Sequence, residues 1–200
     1  MIPHLIDRSL DAALNRIEEC PEDGQALMNA MLPLRSDLAQ FEKQLRQGVT
    51  HSSVALLLRV LVERDDIAQQ VLPSSGQLDP VVERLLRGEA LNSSSTVFGT
   101  WTALVLLRSK PIVDLLSRLP HRSEVLSAYL RVCKHEEVRR LRNALSHGTF
   151  DAEFQEMVYR DGSKVARISF PNLNRLNSAL FSLWTAAWAV SLAPEGVTRI

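Results

Sequence analysis

The sequence predicts a mostly all-α protein, a helical bundle with one small β-hairpin inserted before its last helix. Three observations lead there. Segment after segment repeats its apolar residues at steps of three and four, the spacing of one helix face. The breaks between segments fall at proline and glycine, as at Pro33, Pro73, Gly76, Gly88, Pro120 and Gly148. Only around residues 154–170 does the pattern change to short runs rich in β-branched and aromatic residues.

Taken in order, Leu5, Ile6, Leu10, Ala13, Leu14 and Ile17 lay an apolar stripe on a first helix, with Pro3 near its start and Pro21 to Gly24 as its stop. Leu27, Met28, Met31, Leu38, Phe41 and Leu45 carry the period on to Gly48. Pro33 removes a backbone donor within that run and predicts a kink or a split. Thr50, Ser52 or Ser53 is positioned to cap the next helix. Its core, Val54 to Val62, is apolar on nearly all sides, as a central helix would be. A short helix from Pro80 to Gly88 follows, then an apolar one after Ser93 to Ser95 that Pro111 should break or bend before the chain continues to Pro120. Ser123 opens a long helix whose apolar positions run from Val125 through Cys133 and Val138 to Leu145, ending at Gly148. The hairpin, about 154–170, turns at Asp161-Gly162. A final helix, about 172–192, starts at Pro171 with Asn172 or Asn174 as cap. On it Trp184 and Trp188 stand four apart, a spacing that suits core packing or a dimer seam.

Two hundred residues are enough for one domain spanning 1–200, and no repeat or linker divides them. Hydrophobic residues at 46% and charged residues at 23% exclude a disordered chain. Lys plus Arg equals Asp plus Glu at 23 each, which excludes a generally basic nucleic-acid coat but not a local basic site. Cys20 and Cys133 lack zinc or disulfide-framework spacing, and His4, His51 and His121 have no partners at ligand spacing, so neither metal nor cofactor is expected. Acidic Asp7 and Asp11 interrupt the start of the chain where a signal peptide needs an apolar run. Arg59 interrupts the most apolar stretch, which is also far shorter than a span of ~20 residues. These features point to a soluble, cytoplasmic protein without a membrane segment.

The charge is segregated. Residues 131–148 carry a net +3, whereas the first 25 carry −4. Within the basic segment, Arg142-Asn143 is followed after three residues by His147. An arginine can hold a phosphate bidentately and a histidine can exchange protons near neutral pH. Together they are the minimum kit for in-line cleavage of RNA without a metal, because the ribose 2′-hydroxyl is itself the nucleophile. On an ideal helix Asn143 and His147 share a face, while Arg142 lies ~140° from His147. Three arrangements can bring them together: Arg142 reaches around the helix, the last turn is distorted, or the motif meets its copy from a second subunit. Arg139, Lys134 and His135 precede the motif and could extend a phosphate track, although a charge run on a helix is also simply its solvated face.

This R-x4-H pattern, Arg142 to His147 with Asn143 as polar neighbour and Gly148 after it, resembles the signature of the HEPN superfamily. The resemblance covers about ten residues sharply and the rest in architecture only. It implies a HEPN-like helical bundle that dimerises so that two motifs face one another, often with metal-independent endoribonuclease activity. Toxin–antitoxin, phage-defence and RNA-processing settings are common for such proteins, and an antitoxin is a common partner. In superfamily toxins controlled by adenylylation, a tyrosine stands two residues after the histidine. Here that residue is Thr149, so the resemblance does not extend to that regulation.

Each feature also has a structural explanation. A histidine before glycine in a last helical turn suits the C-terminal dipole and the left-handed stop. A non-catalytic helical regulator or antitoxin-like interaction module, and more weakly a nucleotide sensor using the same arginine, are the competing functions.

Overall fold

The computed structural model describes residues 6–19, 24–50, 109–119, 123–153 and 156–196. Helix accounts for 73% of the described residues and is joined by a small antiparallel sheet, so the mostly helical class holds. The helices expected within 54–62, 80–88 and 94–107 lie outside the described residues.

The first helix, α1 (Arg8–Glu18), begins where the Asp7 carboxylate accepts the backbone N–H groups of Ser9 at 2.8 Å and Leu10 at 3.3 Å. Helix α2 (Gly24–Met31) gives way at Pro33 to a single 3-10 turn, Leu32–Leu34, which leads into α3 (Arg35–Ala39), as the missing donor predicts. Helix α4, helical residues 42–50, runs through Gly48 rather than ending there. Thr50 is itself helical, its hydroxyl donating to the Arg46 carbonyl at 2.9 Å, while Ser52 and Ser53 lie outside the described residues. The reason for glycine at 48 is space: the indole of Trp184 packs directly on its Cα. Helix α5, helical residues 109–116, includes Pro111, and the stretch before residue 109 that it is expected to break or bend lies outside the described residues.

Ser123 caps α6 (Glu124–Cys133), accepting the Leu126 N–H at 3.2 Å. The single long helix expected from Ser123 to Gly148 is in fact two. The chain breaks at Lys134-His135 and restarts as α7 (Glu136–His147). Three strands follow, β1 (Phe150–Glu153), β2 (Glu156–Asp161) and β3 (Lys164–Ser169), in the order β1-β2-β3. The expected hairpin is β2 with β3, and β1 is an addition to it. Asp161 pairs with Lys164, which places the turn at Gly162-Ser163, one residue later than expected, with Gly162 in the left-handed region at φ +63.

Helix α8 (Phe170–Leu192) starts slightly before the expected 172. Ser169 is its cap and accepts the Asn172 N–H at 3.4 Å, so Asn172 and Asn174 lie inside the helix. At 1.5 Å per residue α8 is about 35 Å long. It packs against α1, α2, α3, α6 and β3, and buries Leu173, Leu176, Leu180, Leu183, Ala187 and Val190 along its length. One continuous apolar core draws on the helices and the sheet. Arg175 staples α8 to α1, donating to Asp11 at 2.6 Å, to Glu18 at 2.7 and 2.9 Å, and to Asn15. The acidic first helix thus spends part of its charge on the bundle's own arginine. Among the described residues no helix is long and apolar enough to cross a membrane.

Candidate functional site

The motif helix α7 is set by its two ends. At its start, His135 takes a non-helical conformation and its Nδ1 accepts the Glu137 N–H at 3.2 Å. That bond leaves the ring proton of the neutral imidazole on Nε2, which lies 2.7 Å from Ser9 Oγ. The Ser9 hydroxyl in turn donates to Asp7. The trio contains the residue types of a serine hydrolase but runs in the opposite sense. The hydroxyl proton goes to the carboxylate, and no imidazole lone pair is free to accept it. It joins the cap of α1 to the cap of α7. The Ser9 hydroxyl and N–H bonds hold the Asp7 carboxyl below its ordinary value of 3.8. His135, only 17% exposed in its side chain, is therefore committed to the fold rather than to a phosphate track, while Lys134 beside it is exposed.

Along α7, Val138, Leu141, Ala144 and Leu145 face the core. Much of the positive charge read from the sequence is compensated locally. Arg140 pairs with Glu136 and, at 2.7 Å, with Glu137, while Arg139 pairs with Glu136 at 3.8 Å. Tyr159 of β2 donates to the other Glu137 oxygen at 2.7 Å, and burial together with that carboxylate pushes its phenol well above the usual range. Of the expected RNA-binding residues, then, Arg139 is exposed and ion-paired, Lys134 is exposed, and His135 is a cap.

Arg142, Asn143 and His147 occupy the last two turns. Arg142 and Asn143 are half-buried and His147 is exposed. Among the described residues none of the three side chains has a hydrogen-bond or ion-pair partner. The helix stays regular to its end. Gly148, at φ +64, lets its own N–H donate to Leu145 at 3.4 Å and the Thr149 N–H donate to Ala144 at 2.8 Å, the paired bonds of a Schellman stop. This regularity removes the distorted last turn from the possible arrangements. Asn143 and His147 share the polar face with Arg139, and Arg142 flanks the buried stripe on the other side, ~140° from His147. A regular α7 thus sets Arg142 and His147 on different sides of the helix.

The end of the helix is clamped to the sheet by Thr149. Its hydroxyl donates to the Arg160 carbonyl at 2.7 Å, and the Arg160 N–H donates back to the Thr149 carbonyl at 2.9 Å. Position 149 is thus occupied by a residue whose short hydroxyl extends the ladder between Phe150 and Tyr159 by one step. Sequence reasoning missed both this clamp and Arg160, because the pairing of a residue with one eleven positions later depends on the unrecognised strand β1. Two concavities among the described residues lie away from the motif. One is a small cleft between α1, α7 and the sheet lined by Asp7, Glu137 and Tyr159, and the other is an open groove of about 420 Å³ between Arg16, Glu124 and Arg131. Among the described residues no cluster of three His, Cys, Asp or Glu side chains could hold a metal. Cys133 is buried, which pushes its thiol up to about 12 and leaves it unreactive. No family model, no curated protein and no solved structure matches the chain.

Proposed function

We propose that the protein is a metal-independent endoribonuclease of HEPN type, acting as a homodimer in which Arg142 of one copy and His147 of the other face the same scissile phosphate. The observation that carries this reading is the end of α7: an arginine and a histidine without side-chain partners among the described residues, on a regular helix that separates them by ~140°. In the reaction the ribose 2′-hydroxyl attacks the adjacent phosphorus and the bond to the 5′-oxygen breaks. His147 shuttles the proton, Arg142 neutralises the charge on the phosphoryl oxygens, and Asn143, on the histidine's face, positions the substrate or the ring. The products are a 2′,3′-cyclic phosphate and a free 5′-hydroxyl. Such an activity suits a toxin or phage-defence component held in check by a protein partner.

The test is RNA cleavage in EDTA with end analysis by mass spectrometry, using wild type, Arg142→Ala and His147→Ala. Both variants should be inactive alone. Co-expressed, they should recover about a quarter of wild-type activity, because half of the randomly assembled dimers then hold one intact composite site. No cleavage by wild type defeats the nuclease reading, and no recovery on co-expression defeats the composite site.

A further inference from the structure

Five arginines lie on α7 and the sheet, and they divide cleanly. Arg139, Arg140 and Arg167 are paired to Glu136, Glu137 or Glu156. Arg142 and Arg160 have no carboxylate partner among the described residues. Arg142 belongs to the motif, which leaves Arg160 to be accounted for.

The backbone of Arg160 is held by two hydrogen bonds to Thr149, two residues beyond His147. Two Cα steps and one cross-strand spacing put its Cα within about 13 Å of that of His147. The side chain itself is exposed. Its cross-strand neighbour is Val165, an exposed apolar residue that offers it no charge. Asp161, next along the strand, points to the opposite face and stands opposite Lys164 in the ladder, and neither it nor Asp151, two residues beyond Thr149, makes an ion pair with Arg160. A guanidinium kept solvated and without a carboxylate partner among the described residues, on the outer face of the sheet opposite Tyr159 and with its backbone tied to Thr149 just past the motif, has the chemistry of a backbone-phosphate contact.

We propose that Arg160 binds RNA at the phosphate neighbouring the scissile one, holding the strand in register over His147 without taking part in bond cleavage. This rests on the ribonuclease reading above. Because Thr149 engages only main-chain atoms of Arg160, substitution of the side chain keeps the clamp, and thermal unfolding of Arg160→Gln should match wild type.

The experiment is fluorescence anisotropy with a short labelled single-stranded RNA across a salt series, all proteins carrying His147→Ala to prevent turnover. Adding Arg160→Gln should weaken binding about tenfold and lower the slope of log affinity against log salt by about 0.7, the loss of one phosphate contact. Arg160→Lys should restore the slope. Arg16→Gln, an exposed arginine on α1, should leave both unchanged. Binding by Arg160→Gln that equals the Arg16→Gln control overturns the assignment while leaving the nuclease reading intact. Weakened binding by Arg160→Gln together with a wild type that never cleaves overturns the nuclease reading and supports the contact. RNA that does not bind at any salt overturns both.

Discussion

Replacing Gly48 by alanine isolates the closest approach in the core. In an ordinary exposed helix this change stabilises by about 1 kcal/mol, because glycine is the poorer helix former. Here a Cβ on residue 48 would stand 2.7 Å from Cε2 and 2.9 Å from Cδ1 of Trp184, and nearer still to Nε1. The indole is 1% exposed and its N–H donates to the Leu45 carbonyl at 2.9 Å, one turn earlier on the same helix, so it has no free direction in which to yield. Overpacking costs about 1–3 kcal/mol. Displacing the indole adds about 1–3 kcal/mol for a buried donor that loses its acceptor. Set against the propensity gain, the net expectation is a loss of roughly 3 kcal/mol, or a melting temperature lower by roughly 6–12 °C for a chain of this size. Urea unfolding followed by tryptophan fluorescence and by circular dichroism measures it. Trp184→Phe, which removes the indole nitrogen, should relieve most of the additional penalty in a double-mutant cycle. A Gly48→Ala protein as stable as wild type, or more so, would refute the packing argument.

Three further outcomes follow from the geometry. Gly148→Ala should lose about 1 kcal/mol in urea unfolding from backbone strain alone, since nothing lies within 4 Å of the new Cβ, and Gly148→Asn should lose less. Arg175→Lys should cost about 1 kcal/mol despite keeping the charge, because an ammonium cannot span Asp11, Asn15 and Glu18 together; equal melting curves would show the staple to be dispensable. Asp7, whose carboxyl is held below 3.8, stabilises the fold above that value and loses the contribution as pH falls through its lowered folded value. Melting temperatures of wild type and Asp7→Asn should therefore converge below about pH 4, and a constant gap down to lower pH would remove Asp7 as the cause.

The sequence was most informative where one residue enforces a boundary. Pro33 interrupts α2 because it has no N–H to give, Ser123 opens α6, and Gly148 ends α7 in a left-handed turn. It was least informative where apolar spacing continues across a break. Val132, Cys133, Val138 and Leu141 keep a helical period through Lys134-His135, so two helices read as one. The pair Glu136-Glu137 right after His135 was the available signal, since acids gather in a first turn. Strand β1, Phe150–Glu153, is four residues long and acquires its identity only from pairing with β2. The motif residues themselves were legible, but the clamp that ties the Arg160 backbone to Thr149 was not, because it joins main-chain atoms.

Helix α7 is tied at one end through His135, Ser9 and Asp7 to the start of α1, and at the other through Thr149 to the ladder of the sheet. Twelve residues between two anchors make a strut of about 18 Å whose length and rotation are both set. Sliding or turning it to open a cleft would break bonds at one end or the other. In the proposed dimer, admission of a strand and release of its fragments therefore fall to the movement of one protomer against its partner, and anything that locks that interface acts as an inhibitor without touching His147.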